Sequence, residues 1–199
     1  MKVEIKNRFN DKIILSGKYE SIKDCLEKNR DADLSYSNLS YSDLSNSNLR
    51  GSNLSDSNLR GSNLRYSNLS NSNLSYSNLS NSNLRGSNLR YSNLRYSNLS
   101  YSNLSYSNLS NSNLSDSNLR GSKNYSESHD FFQEIAKRQK VDTFTQKEWS
   151  IIGQIIIHRL CWDTIKKRFN KSAMGIFKKL KKVGFGEWSG KYSEILREK

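Results

Sequence analysis

Histidine and cysteine are nearly missing from this chain, with two of each among 199 residues. An enzyme needs titratable groups that converge, and so thin a set argues against one. There is no glycine-rich phosphate loop, no paired-cysteine zinc spacing and no nucleophile elbow. No cofactor or metal is therefore implied. His129 stands beside a predicted helix start, as a capping or surface residue, and His158 lies within an apolar helical stretch, as a satisfied core or edge residue. Cys25 and Cys161 fall in different segments, each in apolar helical surroundings, and read as two buried free thiols of a reducing compartment. No apolar run approaches the length needed to cross a bilayer, and charges stud residues 1–20 where a signal peptide would be apolar. These absences predict a cytoplasmic, non-enzymatic protein with no membrane partner.

What the chain has in abundance is leucine in strict phase. Leucine recurs at every fifth position from Leu34 to Leu119, eighteen times without a slip. Two residues before it stands Ser in seventeen units and Ala32 in the first. Directly before it stands Asn in sixteen units, the exceptions being Asp33 and Asp43. Only the two positions after Leu vary, among Ser or Arg and then Tyr, Asn, Asp or Gly. On a helix, a step of five residues turns the side chain by about 140°, which scatters the leucines around the cylinder. On a flat strand, successive leucines would point to opposite sides. A short extended piece followed by a corner satisfies the pattern, with a quarter circuit per unit and four units per coil of twenty residues. Coils stacked at about 4.8 Å would make a rod about 20 Å long. The Ser and Asn content alone would suit a disordered tract, but disorder has no reason to keep phase. Eighteen buried leucines, at about 1.5–3 kcal/mol each, supply the core that stacking needs.

These residues resemble the pentapeptide-repeat family, whose consensus is a small residue, Asn or Asp, Leu or Phe, and two variable polar positions. The resemblance covers residues 32–121 and implies a right-handed quadrilateral β-helix. Hexapeptide-repeat acyltransferases, the familiar enzymatic solenoids, keep a period of six, which this chain never adopts. The family usually mixes Ala and Cys with Ser at the inward small position. Here it is almost all Ser, so many hydroxyls must find backbone carbonyls.

The flanks read as caps for the ends of a solenoid. Residues 1–30 give a β-hairpin, from KVEIK and KIILSGKY with a turn at Asn10-Asp11, and a helix over 21–29 capped by Ser21. Residues 31–122 are the repeat rod. After Leu119 the phase breaks, and residues 123–199 read as an all-α domain with a capping box at Thr145 and Glu148. The strings NRF, ESIK, SHDFF and RLCWD resemble the ends of uncharacterised bacterial and phage pentapeptide-repeat proteins, a likeness that implies no activity. The fold class expected is mainly β, with the β-helix between a hairpin-helix cap and the helical domain.

Charge divides unevenly. The net +13 splits as +3 over residues 1–30, +2 over 31–122 and +8 over 123–199. The best-known members of the resembled family mimic double-stranded DNA and act on gyrase through a strongly acidic surface. A rod with seven Arg and five Asp has no such surface, so a gyrase-binding DNA mimic is the least favoured reading. Two binding surfaces stand ahead of it. On the rod, residues twenty apart share a face, which predicts Tyr76 stacked on Tyr96 and Arg65 beside Arg85, with Tyr66 and Tyr106 alongside; Tyr and Arg are the residue types of protein-binding hot spots. The same tyrosines could instead serve only to brace neighbouring coils. In the helical domain, Lys178, Lys179, Lys181 and Lys182, with Arg168 and Lys171, form a cationic face suited to nucleic-acid phosphates or simply to solvent. The partner expected first is an unidentified protein, with nucleic acid second.

Overall fold

Twenty residues separate every pair of bridged positions in the repeat tract. A computed structural model describes residues 1–125 and 128–197. Its backbone pairs Asn53 with Asn73, Asn73 with Asn93 and Asn93 with Asn113, all parallel, and the same step recurs on each side of the coil. Four pentapeptides therefore close one turn of a β-helix. The leucine N–H donates to an Asn carbonyl on the following coil, as from Leu74 to Asn93 at 2.7 Å, and the Asn N–H donates to a Ser carbonyl on the preceding one, as from Asn78 to Ser57 at 2.9 Å. Leu34 to Leu99 are fully buried at each fifth position, and Leu104 to Leu119 are 2% exposed.

Each corner is a tight turn. Ser77 N–H donates to Leu74 C=O at 3.2 Å, and the second of the two residues between them, Tyr76, has φ +57°. A positive φ at this place is the signature of a type II turn, and it suits Gly, Asn and Asp better than Tyr. Rod corners carry φ of 54° to 61° at non-glycine residues, eight of them tyrosines. The tyrosine rings lean over the next coil. A Cβ placed on Gly61, Gly86 or Gly121 would sit 2.4–2.6 Å from ring carbons of Tyr41, Tyr66 and Tyr101 respectively, each one coil earlier. Gly51, with no repeat tyrosine twenty residues before it, has open space there.

Two polar ladders complete the coil. Asn side chains accept from the N–H two residues on, as Asn73 Oδ1 does from Ser75 at 3.2 Å, and donate to the Asn one coil back, as Asn93 Nδ2 does to Asn73 Oδ1 at 3.2 Å. Asp33 and Asp43 stand where the ladder begins. They need only accept, from Asn53 Nδ2 at 2.7 Å and Asn63 Nδ2 at 2.9 Å. Hydrogen bonds from the backbone and hydroxyl of Ser35 hold the Asp33 carboxyl below its ordinary range, and the hydroxyl and backbone of Ser45 do so for Asp43. The inward Ser hydroxyls donate to the leucine carbonyl three residues back, as from Ser77 to Leu74 at 2.6 Å. Ser37, Ser47, Ser52, Ser87 and Ser102 are exceptions, buried with no partner among the described residues.

The first coil is covered from one side. Strands β1 (Lys2–Lys6) and β2 (Ile13–Lys18) form an antiparallel hairpin with Val3 and Ile5 buried. Asn38 N–H donates to Lys6 C=O at 2.7 Å and Arg8 N–H to Tyr36 C=O at 2.8 Å. Helix α1 (Ile22–Lys28) sets Glu27 to accept from Asn48 N–H at 2.7 Å. These contacts occupy donors and acceptors that a missing coil would otherwise take.

The chain divides into two compact units, Met1–Asn124 and Tyr125–Lys199. The second holds α2 (His129–Lys137), α3 (Gln146–Ile157), α4 (Trp162–Phe169), α5 (Lys171–Lys182) and α6 (Glu187–Arg197). The capping box of Thr145 and Glu148 opens α3. Phe131, Phe177, Trp188 and Tyr192 fill the core, with Phe177 edge-on to Tyr192 at 5.1 Å. Tyr192 donates to Asn170 C=O at 2.6 Å, and burial pushes its phenol up to about 12. The β-helix and the helical domain are both present, but "mainly β" needs correction. Each repeat contributes one bridged residue between corners, too short for a regular strand, and among the described residues β1 and β2 are the regular strands. Coil pairing also runs on to Lys123, whose carbonyl accepts from Leu104 N–H at 2.9 Å.

Leu74→Ala should cost about 2–5 kcal/mol in denaturant melts, because coils above and below prevent collapse of the cavity. Ser75→Ala, which removes an outward hydroxyl bonded to Asn73, should cost about 1 kcal/mol or less. Equal losses would contradict the inward leucine core. Gly51→Ala should cost about 1–2 kcal/mol for its left-handed corner. Gly61→Ala must also displace the Tyr41 ring and should cost at least about 1 kcal/mol more. That excess should vanish in a Tyr41→Ala background, as a double-mutant cycle would read.

Candidate functional site

The corner geometry pushes every second variable residue outward, so the rod's surface chemistry is set by its tyrosines and arginines. Tyr76 and Tyr96, one coil apart, stack with ring centroids 4.8 Å apart and planes 23° from parallel. The Arg95 guanidinium covers Tyr96 at 4.6 Å, donates from Nη2 to its hydroxyl at 2.9 Å and lies 3.8 Å from Asp116. Tyr36 belongs to the same column, two coils before Tyr76. The hairpin turn adds to this face: Phe9 packs on Tyr36 at 6.2 Å, and Arg8 lies 4.4 Å above Phe9 while donating to Ser57 C=O at 3.3 Å. Arg8, Phe9, Tyr76 and Tyr96 line one open groove, floored by the ladder amides of Asn58 and Asn78.

Arg65, Tyr66, Arg85 and Tyr106 lie elsewhere. Tyr66 and Tyr106 stand ten residues out of phase with Tyr76 and Tyr96, which is half a circuit around a twenty-residue coil, and Arg65 and Arg85 directly precede corners of that same side. Arg65 covers Tyr66 and Arg85 covers Tyr106, each at 5.4 Å. Tyr66 is seated against Gly86, and Tyr106 is 78% exposed. The six rod residues singled out from the sequence thus form two patches on opposite sides. Sequence reasoning missed Arg8, Phe9, Tyr36 and Arg95. Tyr36 and Arg95 could have been found from the period of twenty, whereas nothing in the sequence signals that the hairpin turn folds onto this column.

In the helical domain, Lys171, Lys178, Lys181 and Lys182 of α5 are exposed, as is Arg168 at the end of α4. Lys179 does not join them as a free cation. It pairs with Glu148 at 2.6 Å and lies 5.7 Å from the Phe144 ring, because its position on α5 faces the start of α3. Burial pushes the Glu148 carboxyl up, but hydrogen bonds from Lys179 and Thr145 outweigh it and leave the group below its ordinary value. Lys181 and Lys182 sit in the last turn of α5, where cations also suit the helix dipole.

The cysteines divide. Cys25 is buried, and burial pushes its thiol up, whereas Cys161 is exposed at the N-cap of α4. The apolar neighbours Leu160 and Trp162 suggested burial, but the N-cap residue stands outside the apolar stripe of the helix. Hydrogen bonding to Thr164 holds the Cys161 thiol below its ordinary value. His129 opens α2 with Nε2 2.9 Å from Leu160 C=O. His158 is exposed rather than in a core, because α3 ends at Ile157 and His158 is its C-cap. Among the described residues, no group of three His, Cys, Asp or Glu side chains is placed to hold a metal ion, and no helix is long and apolar enough to cross a membrane.

A family profile described as pentapeptide repeats matches in eight copies, over residues 30–65, 52–90, 67–105 and 92–123. No curated protein matches the chain. Among solved structures it is similar to a pentapeptide repeat protein of the Arabidopsis thaliana thylakoid lumen, 27% identical, with 46% of this chain and 63% of that one covered and a TM-score of 0.45. It is similar also to Rfr23, a pentapeptide repeat protein of the cyanobacterium Cyanothece 51142, at 37% identity, 43% and 58% coverage and a TM-score of 0.43. A trypsin-treated form of QnrB1, a plasmid-mediated fluoroquinolone resistance protein, matches at 16% identity, 43% and 59% coverage and a TM-score of 0.23. The matched region spans about three fifths of these proteins. Residues 30–123 are therefore a run of pentapeptide repeats, the segment that the family profile matches.

Proposed function

We propose that this is a cytoplasmic, non-enzymatic interaction protein whose rod, a right-handed quadrilateral β-helix, presents a Tyr/Arg surface to a protein partner. The observation that carries this reading is the stack of Tyr76 on Tyr96, with Arg95 over it and Phe9 and Arg8 across an open groove. Aromatic rings held rigidly beside arginines bury large areas at little conformational cost, the property that makes such residues hot spots. Tyr66, Tyr106, Arg65 and Arg85 form the second, opposite patch. The rod's near-neutral charge still disfavours DNA mimicry.

A second reading rests on five exposed cations. Arg168, Lys171, Lys178, Lys181 and Lys182 could meet nucleic-acid phosphates, as charges over 123–199 sum to +8.

Tyr76→Asn with Tyr96→Asn tests the first reading, because Asn already occupies the equivalent corner at Asn71 and Asn81 and should leave the fold intact. A protein captured from nuclease-treated lysate by the wild type should be lost with this pair and kept with Arg65→Ser and Arg85→Ser. Retention by the tyrosine variant would remove the groove from the interaction. For the second reading, affinity for a generic duplex should fall with salt, at a log-log slope of about −0.9 per phosphate contacted. Replacing Lys178, Lys181 and Lys182 with Gln should flatten that slope at unchanged Tm. Absence of any shift at low salt would end the nucleic-acid reading.

A further inference from the structure

The helical domain contains a cavity of about 120 Å³ at the meeting of α2, α3, α4, α5 and α6. Its depth is apolar: Phe132, Ile155, Ile165, Phe177 and Trp188 line it, and none is more than 3% exposed. Its remaining wall is more accessible, with His129 and Trp162 half-buried and Cys161 exposed. The rings present edges and faces at steep angles, Phe132 to Trp188 at 85° and Trp162 to Phe177 at 61°. Such a box offers a flat guest both offset-stacked and edge contacts.

Size and charge narrow the guest. An apolar cavity of about 150 Å³ stays dry and takes benzene, so a void of this volume suits one aromatic ring. An anion is disfavoured, and a cation would be desolvated in the apolar depth with no carboxylate lining it. The two helix N-termini at this wall, of α2 and α4, already carry Asp130 and Asp163 in their first turns, and Asp130 is held by Arg159 at 3.0 and 3.3 Å. His129 Nε2 faces the Leu160 carbonyl, which only accepts, so Nε2 donates to it and Nδ1 is left for a polar group such as a hydroxyl, which can both donate and accept. A guest with one hydroxyl therefore suits the lining better than a bare hydrocarbon.

We propose that this cavity is a binding site for a small uncharged single-ring aromatic, of the phenol class. It is independent of the rod surface and of the basic face.

The probe is 4-fluorophenol, titrated into the full-length chain and followed by fluorine NMR. Binding should broaden and shift its resonance, and 4-fluorobenzoate should bind at least tenfold more weakly. Ile155→Phe or Ile165→Phe, which fill the cavity, should weaken 4-fluorophenol at least tenfold. A second readout needs no variant. Cys161 is the exposed thiol and Cys25 is buried, so alkylation by iodoacetamide reports on Cys161, and 4-fluorophenol should slow it severalfold. The proposal is overturned if millimolar 4-fluorophenol neither broadens nor protects, if folded filled variants bind it equally, or if the benzoate binds as well.

Discussion

The hydrogen bond from an inward leucine's N–H to an asparagine carbonyl on the next coil, made at every fifth residue from Leu34 to Leu99, is the constraint on which the rod depends. It fixes the step at twenty residues, and with it the inward direction of leucine, the edge position of asparagine and the corner at the second variable residue. Once that step is set, every other regularity follows as a column. Amides stack on amides, serine hydroxyls find the carbonyl three residues back, and tyrosine rings meet whatever stands twenty residues on. Glycine under a tyrosine at Gly61, Gly86 and Gly121 is therefore a packing choice as well as a backbone one.

Much of this was legible because the repeat is periodic. The period of five predicted the inward leucines and the coil of twenty, and composition separated the helical domain. What escaped the sequence depended on contacts between elements. Lys179 looked like one more lysine of a basic stripe, yet α3 brings Glu148 to it across thirty-one residues. Cys161 looked buried among apolar neighbours, but a cap position follows the helix boundary rather than local hydropathy. Phe9 carried no signal at all, since its place against Tyr36 depends on how the hairpin closes the first coil. The expectation of a mainly β chain counted the short extended piece of each repeat as strand, while corners use most of its residues.

The two variable positions separate surface from stability. Arginine and tyrosine there can be exchanged for serine and asparagine without touching leucine or the amide ladder, as neighbouring units already show. A patch can thus be placed at a chosen height and side of the rod. In this chain every side of the coil carries both aromatic and cationic groups, and on one of them the capping hairpin supplies part of the groove.

The asparagine ladder also has a direction. The amide bonds that join coils run one way, from Asn93 to Asn73 to Asn53 to Asp33, so these amide dipoles align head to tail along the rod, as peptide units do along a helix. Their positive end lies at the first coil. Asp33 and Asp43 stand there, so the two breaks in the asparagine pattern place negative charge at the positive pole of a side-chain macrodipole.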